Sequence, residues 1–145
     1  MTKKNQIIFI DGKIKALNTL FSEKNFGYLA IGYAESDNGF EDPKTSDTEI
    51  PNGFSELTRS DYERIKLQPS SDEPQIDTDT GKVLVKFEAI LSENNIIESQ
   101  QINQIAVVDN ANANSADTTY YSATTFPSFT KTNETSITFV IGFRL

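Results

Sequence analysis

The last segment of the chain alternates apolar and polar residues without interruption, and no other pattern constrains the fold as strongly. The odd-numbered positions are apolar: Ile137, Phe139, Ile141, Phe143 and Leu145. The even-numbered positions between them hold Ser136, Thr138, Val140, Gly142 and Arg144. Successive side chains of a strand point to opposite faces of a sheet, so the pattern predicts a β-strand that buries one face.

Gly81–Leu91 repeats this alternation. Its inward positions are apolar: Val83, Val85, Phe87, Ala89 and Leu91. Its outward positions include Lys82, Lys86 and Glu88. A second strand with one buried face is therefore predicted.

Further segments indicate strands of other kinds. The apolar run Tyr28–Ala34 predicts a buried strand, and Gly32 within it indicates a bulge or a close approach of backbone. Ile102–Val108 predicts another buried strand, and Thr119–Phe126 one that ends where Pro127 follows. Asp61–Leu67 fits a strand and a helix about equally, and a strand is favoured. Pro69–Pro74 is expected to be a loop.

One stretch, at about residues 12–23, predicts a helix. Its apolar residues lie at helical spacing: Ile14, Leu17, Leu20 and Phe21. Asp11 is suited to cap its start, and Gly27 follows its end. The helix either closes one end of the fold or docks onto a partner.

These elements predict one domain spanning residues 1–145, with a long acidic loop at 35–52. No linker or internal repeat divides the chain. Several strands with polar loops and one short N-terminal helix are typical of an all-β, antiparallel β-sandwich or jelly roll.

The chain has no histidine and no cysteine. It therefore lacks the usual general base near neutral pH, thiol nucleophiles, Ser-His-Asp triads and the usual zinc ligands. Carboxylate hydrolases remain chemically open, but the sugar-binding examples usually add tryptophan platforms, and this chain has no Trp. We expect no enzymatic activity, no catalytic residue and no cofactor.

Charge and hydropathy bound the partners. The net charge of −8 gives no positive surface for phosphate, so a nucleic-acid partner is not expected. No stretch approaches the roughly 18–20 apolar residues of a membrane span. Only Ile7–Ile10 follows the basic N-terminus before Asp11, which is too short for a signal peptide, so synthesis in the cytoplasm is expected.

Two acidic segments are candidate calcium sites. Asp77, Asp79 and Glu88 match part of the spacing of an EF-hand loop, but the glycine falls one position early and a strand follows. A tight hairpin turn is the favoured interpretation. For Asp37–Asp42 we favour a solvated turn.

Several residues are candidates for contacts between subunits. Arg59, Asp61, Glu63 and Arg64 surround Tyr62, which predicts a surface ion-pair network or an intersubunit contact. Tyr120 and Tyr121 should point to opposite faces of a strand, so one is expected in the core. The residues predicted to form the interface are Arg59, Tyr62, Arg64, Tyr121 and Arg144. The small outer face of the last strand, Thr138, Val140 and Gly142, is expected to pack either against a neighbour or against the N-terminal helix.

Taken in chain order, these segments resemble a group of small structural proteins of tailed-bacteriophage virions. The resemblance lies in a short helix, an "AIG"-type strand, an "L-x-R" segment, an "I-x-x-I-A/G-L/V-x-D" strand, a "Y-x-x-x-T/R-F-P-x-x-x-K" stretch and a closing alternating strand. Here these are Ile14–Phe21, Tyr28–Ser36, Leu57–Arg59, Ile102–Asp109, Tyr121–Lys131 and Thr135–Leu145. The chain departs from the group in the acidic loop Glu35–Pro51 and in the insertion Asn110–Asp117.

The resemblance implies a virion protein, made in the host cytoplasm, that binds other virion proteins and itself. It implies an oligomeric accessory subunit that decorates the capsid surface or belongs to the tail or baseplate, with no catalytic residue. The alternative is a carbohydrate-binding or receptor-binding module of a tail tip, which would use Tyr33, Tyr62, Tyr120 and Tyr121 as platforms.

Overall fold

The computed structural model describes residues 5–22, 24–35, 40 and 53–145. Apart from Glu35 and Phe40, the predicted acidic loop at 35–52 lies outside the described residues, as does the Asp37–Asp42 candidate except for Phe40. The elements are α1 (Ile10–Leu20), β1 (Tyr28–Gly32), β2 (Ile65–Lys66), β3 (Gln68–Pro69), β4 (Gln75–Ile76), β5 (Val83–Leu91), β6 (Gln100–Val108), β7 (Tyr120–Lys131) and β8 (Ile137–Arg144). The described chain is mostly β, with two antiparallel sheets and one short helix.

Helix α1 is shifted toward the N-terminus relative to the prediction. Phe9 occupies the N-cap position in an extended conformation, so the predicted cap at Asp11 is wrong, and Asp11 lies in the first turn. An acidic side chain there still interacts favourably with the helix dipole. The helix ends at Leu20 because the side chains of Ser22 and Asn25 both donate to the carbonyl of Thr19. Within the described ranges, no helix is both long and apolar enough to cross a membrane.

The first sheet has the strand order β2-β1-β6-β7. Its centre is the pairing of β1 with β6, in which Tyr28 faces Val108 and Gly32 faces Gln104. Nearly every residue of these two strands is buried, as predicted, including the polar Asn103 and Gln104 of β6. A Cβ atom at Gly32 would lie 2.6 Å from the carbonyl oxygen of Ser55, which confirms the predicted close approach of backbone.

The second sheet is built around β5. Strand β8 pairs along one edge of β5, from Leu84 opposite Arg144 to Leu91 opposite Ile137. The short strands β3 and β4 share its other edge. The inward residues of β5 are buried, as the alternation predicts. The predicted strand at Asp61–Leu67 forms only as the short β2.

Strand β7 does not end at Pro127, contrary to the prediction. The strand continues to Lys131, and its pairing with β6 is irregular between Ile102 and Gln104, where the register shifts. Pro127 lies in this irregularity, on a strand at the edge of the sheet. Both positions tolerate a residue that has no backbone N–H to donate.

Both sheets and the helix contribute to one core. The main cluster joins residues of β1 and β6 to residues of β5 and β8. Leu17 and Phe21 are the buried residues of α1 and its end, and the Phe21 ring stacks on Phe143. The apolar side of the helix therefore packs against the core of its own chain. A smaller cluster, formed by Ala30, Phe54, Ala106 and Val108, covers the other face of the first sheet.

Candidate functional site

The predicted charge cluster around Tyr62 is divided by the structure into a buried part and a surface part. Arg64 and Tyr62 are buried, and their common partner is Glu56, a residue that the sequence did not single out. Arg59 and Asp61 lie near the surface and pair with each other. Glu63 is exposed, and its backbone pairs with the side chain of Asn95. The prediction of one surface network is therefore wrong for Tyr62 and Arg64.

Glu56 and Arg64 form a two-pronged ion pair that is almost fully shielded from solvent. Arg64 Nη2 lies 2.8 Å from Glu56 Oε1, and Arg64 Nε lies 2.9 Å from Oε2. The side chains of Arg64 and Glu56 are 0% and 4% exposed. Parallel N–H···O bonds of this kind are strong and fix the orientation of both groups.

The remaining donors of Arg64 bind the loop between β6 and β7. Nη1 donates to Asn110 Oδ1 at 2.9 Å and to Thr118 Oγ1 at 3.0 Å. Burial acts to lower the pKa of Arg64, but the hydrogen bonds and charge of Glu56 outweigh it and raise that pKa. The guanidinium thus stays charged and ties this loop to the segment at 53–64.

Tyr62 links the ion pair to the first sheet. Its hydroxyl donates to Glu56 Oε2 and accepts the backbone N–H of Ile31 at 3.0 Å. Along the same edge of β1, the backbone N–H of Tyr33 donates to Ser55 and the N–H of Leu57 donates to Ile31. The Tyr62 hydroxyl therefore continues a row of backbone hydrogen bonds. Burial, followed by the negative charge of Glu56, raises the pKa of Tyr62 well above its usual range.

The polar side-chain atoms of Glu56, Tyr62 and Arg64 form their hydrogen bonds with groups of the same chain. Glu56 Oε1 accepts a further hydrogen bond from the backbone N–H of Asn114 at 3.0 Å. Throughout the part of the chain that the structure describes, every buried side-chain nitrogen and oxygen has a hydrogen-bond partner. Acid–base catalysis needs a carboxylate that a substrate can reach, whereas the contacts of Glu56 are with its own chain. We interpret the network as a structural link that holds the loop between β6 and β7 and the segment at 53–64 to the first sheet.

The surface pair Arg59–Asp61 has different surroundings. Arg59 Nε lies 2.7 Å from Asp61 Oδ1, and these side chains are 21% and 20% exposed. Asp61 Oδ2 also accepts the backbone N–H of Ile97 at 3.1 Å. The hydrogen bond from Arg59 lowers the pKa of Asp61 to about 2. Arg59 is thus partly accessible but already has a partner.

The other two interface candidates lie on different surfaces. Tyr121 is 45% exposed, and the rest of its ring packs against Phe21, Phe26 and Phe143. Tyr120 is half-buried against Phe54 on the opposite side of β7. Arg144 is exposed at the end of β8, opposite Leu84.

The three calcium candidates are not brought together. Asp77 caps the hairpin turn between β4 and β5, where its Oδ1 accepts the backbone N–H of Asp79 at 2.9 Å. Glu88 lies five positions beyond Val83 on β5, which places it about 16 Å along the strand. Among the described residues, no three acidic side chains cluster as a cation site would require. The favoured hairpin interpretation is confirmed.

The outward face of the second sheet leaves two large apolar side chains open to solvent. Val140 is 56% exposed and Ile90 is 53% exposed. Thr138 and Gly142 lie beside them, and Leu84 covers the space above Gly142. Helix α1 packs on the opposite, core side through Phe21. Of the two expectations for this face, packing against the helix is therefore wrong.

A surface depression with a volume of about 470 Å³ lies beside β7. It is lined by Glu35, Asn103, Thr125, Phe126, Pro127 and Ser128. Asn103 is engaged with the backbone of Ala34 through both of its side-chain polar atoms. Phe126 stacks on Phe129 and contacts Phe139, so its ring belongs to the core rather than to a platform for sugar.

Comparisons with protein-family models, with curated proteins and with solved structures found no match for this chain.

Proposed function

We propose that the chain is a non-enzymatic structural subunit of a tailed-bacteriophage virion, built as a β-sandwich of the jelly-roll type. It acts as an oligomeric accessory protein that decorates the capsid surface or belongs to the tail or baseplate. It is made in the host cytoplasm, and its partners are other virion proteins and further copies of itself.

The observation that carries this proposal is the division of roles between the two sheets. The central strands of the first sheet, β1 and β6, are buried on both faces, and their outer residues pack under Phe54 and the segment around it. The second sheet buries one face and presents Val140 and Ile90 to solvent on the other. Contiguous apolar patches mark surfaces that bind other proteins, and Val140 and Ile90 are diagonal neighbours on this face.

The charged groups support a binding role rather than a chemical one. Glu56 and Arg64 use their polar atoms on each other and on neighbouring backbone and side chains. Arg59 and Asp61 are likewise paired. A subunit that must stay rigid in a particle benefits from such cross-links, because they hold its loops to its sheets.

The location in a virion rests on the resemblance of the chain's segments to those of small virion proteins. The carbohydrate-binding alternative is less well supported, because Tyr62 is buried and Tyr120 and Tyr121 use much of their rings in internal contacts. Flat, accessible aromatic faces are what a sugar platform needs.

The test is quantitative mass spectrometry on separated heads and tails of particles from the phage that encodes the chain. The major capsid protein serves as the internal standard for copy number. Many copies in the head fraction support capsid decoration, and a small set in the tail fraction supports the tail or baseplate. Absence from both fractions would overturn the virion role.

A further inference from the structure

Strand β8 is an open edge of the second sheet. Strand β5 pairs with it along its whole length, and within the described ranges no other strand pairs with its far side. Leu145 and Val83 exchange both backbone hydrogen bonds, at 2.9 and 3.0 Å. Such pairs alternate in an antiparallel ladder. The even-numbered residues Thr138, Val140 and Gly142 therefore turn their N–H and C=O groups toward the open side.

The two edges that β7 and β8 form are protected to different degrees. Strand β7 carries Pro127 and a shift in register, two features that hinder pairing with a further strand. Strand β8 pairs without a shift, contains no proline, and has no charged residue before Arg144. An edge that is regular, uncharged and partly apolar is a ready template for another strand.

The core beneath β8 is also incomplete at this edge. The inward residues of β5 are buried: Val83, Val85, Phe87, Ala89 and Leu91. On β8 only Phe143 reaches that state, while Ile137, Phe139 and Ile141 remain partly exposed. A strand added beside β8 would cover these side chains.

We propose that β8 pairs antiparallel with β8 of a second copy, across a two-fold axis at Val140, so that the second sheets of two subunits become one continuous sheet. The proposal deepens the proposed function, since it rests on the self-association included there and names the surface responsible. The two-fold axis at Val140 is the one that uses the whole strand, because 136–144 are then all opposite a partner residue.

This register is self-complementary in three respects. Val140 exchanges backbone bonds with Val140 of the second copy, and Thr138 with its Gly142. On the inner face Phe139 lies opposite Ile141, an aromatic and β-branched pairing that stabilises sheets. Arg144 lies opposite Ser136, so no like charges face each other across the axis, although each chain carries a net charge of −8. These features favour a second copy as the occupant of this edge.

The first experiment compares the mass in solution of the wild-type chain, Val140→Lys and a matched control, Ile90→Lys, by light scattering over a range of concentrations. Val140 and Ile90 are exposed to almost the same degree on the same face, but only Val140 lies on the edge strand. We expect the wild type and Ile90→Lys to associate and Val140→Lys to have the mass of one chain.

Circular dichroism confirms that both variants are folded. A Val140→Lys protein that keeps the wild-type mass would overturn the pairing. The same conclusion follows if Ile90→Lys dissociates equally, because the contact would then be made by the face and not by the edge.

The second experiment does not depend on disrupting the proposed pairing of β8. The chain has no cysteine, so Val140→Cys introduces the only thiol. Across the axis the two Cα atoms should be about 5.5 Å apart, which suits a disulfide. We expect mild oxidation to join Val140→Cys chains into a covalent dimer and to leave Ile90→Cys largely unlinked, because two strands separate its thiols. Equal rates of linking would overturn the proposal.

The outcomes separate this inference from the virion role. A wild-type chain that is present in the particle but monomeric in solution at every concentration overturns the β8 pairing alone. A β8-linked dimer that is missing from both heads and tails overturns the virion role alone.

Discussion

Arg59 and Arg64 are five residues apart in the sequence, and each forms a two-pronged ion pair with a carboxylate. Arg64 and Glu56 are buried beneath a loop, whereas Arg59 and Asp61 remain about one-fifth exposed. The charges and bond lengths are alike, so the difference in surroundings should decide what each pair contributes. Water can replace a lost partner at the surface, but it cannot reach a charge left alone in the interior.

The largest effect is expected for Arg64→Met, which leaves the carboxylate of Glu56 buried without its cation. Breaking a buried pair by removing one partner costs about 3–5 kcal/mol. We therefore expect the free energy of unfolding, measured by urea titration with circular dichroism, to fall by about that amount. The double variant Glu56→Gln/Arg64→Met removes both charges and should recover part of the loss. A loss below about 1 kcal/mol for Arg64→Met would show that water reaches the pair.

A smaller loss is expected for Tyr62→Phe. This change removes the hydroxyl that accepts the N–H of Ile31 and donates to Glu56, and it leaves a buried backbone donor without a partner. Such a loss costs about 1–3 kcal/mol. Tyr121→Phe is the matched control, because Tyr121 is 45% exposed and the change keeps its ring, and it should change stability by less than about 0.5 kcal/mol. Equal effects of the two variants would contradict the role given to the Tyr62 hydroxyl.

Arg59→Met should cost much less than Arg64→Met, about 0.2–1 kcal/mol. Asp61 remains in contact with solvent and keeps the backbone N–H of Ile97 as a partner. Added salt should weaken the wild-type contribution of this pair and leave that of the buried pair nearly unchanged. Unfolding titrations of both variants at low and high salt measure this difference. A cost for Arg59→Met as large as that for Arg64→Met would remove the distinction between the two pairs.

The smallest effect concerns pH. The pKa of Asp61 is lowered from its ordinary value of 3.8 to about 2 in the folded chain, chiefly by the hydrogen bond from Arg59. A lowered folded pKa contributes stability that is present above the unfolded pKa and is lost as pH falls through the folded pKa. Stability should therefore decline between about pH 4 and pH 2. Asp61→Asn should show a shallower decline over this range, and an unchanged slope would contradict the assignment.

Much of the fold could be predicted because period-two alternation is a local property. The alternation in Gly81–Leu91 and in the last segment places the inward residues of β5 and β8 correctly. The predicted burial of Ile102–Val108 is also confirmed, and it extends to the polar residues Asn103 and Gln104. The prediction was wrong at Asp11 and Pro127, where local preferences met a competing structure: an extended Phe9 in the cap position and an irregular edge strand.

The candidate site was less predictable. Arg64 is separated by 8, 46 and 54 residues from its partners Glu56, Asn110 and Thr118. Nothing in this spacing marks these residues as its partners. A charged cluster such as Arg59–Arg64 normally lies on the surface, so the sequence favoured exposure for all its members. Arg59, Asp61 and Glu63 follow this rule, whereas Arg64 is buried.

The sequence by itself determined which strands alternate, which of their side chains face the core, and which catalytic groups the chain lacks, because these follow from residue type and spacing. The tertiary structure alone decided that Arg64 is buried while Arg59 is not, and that β8 lies at an edge of the second sheet where no other described strand pairs with its far side. Burial and strand order depend on what the rest of the chain places beside a residue. A pairing such as that of Glu56 with Asn114 arises only when distant segments meet.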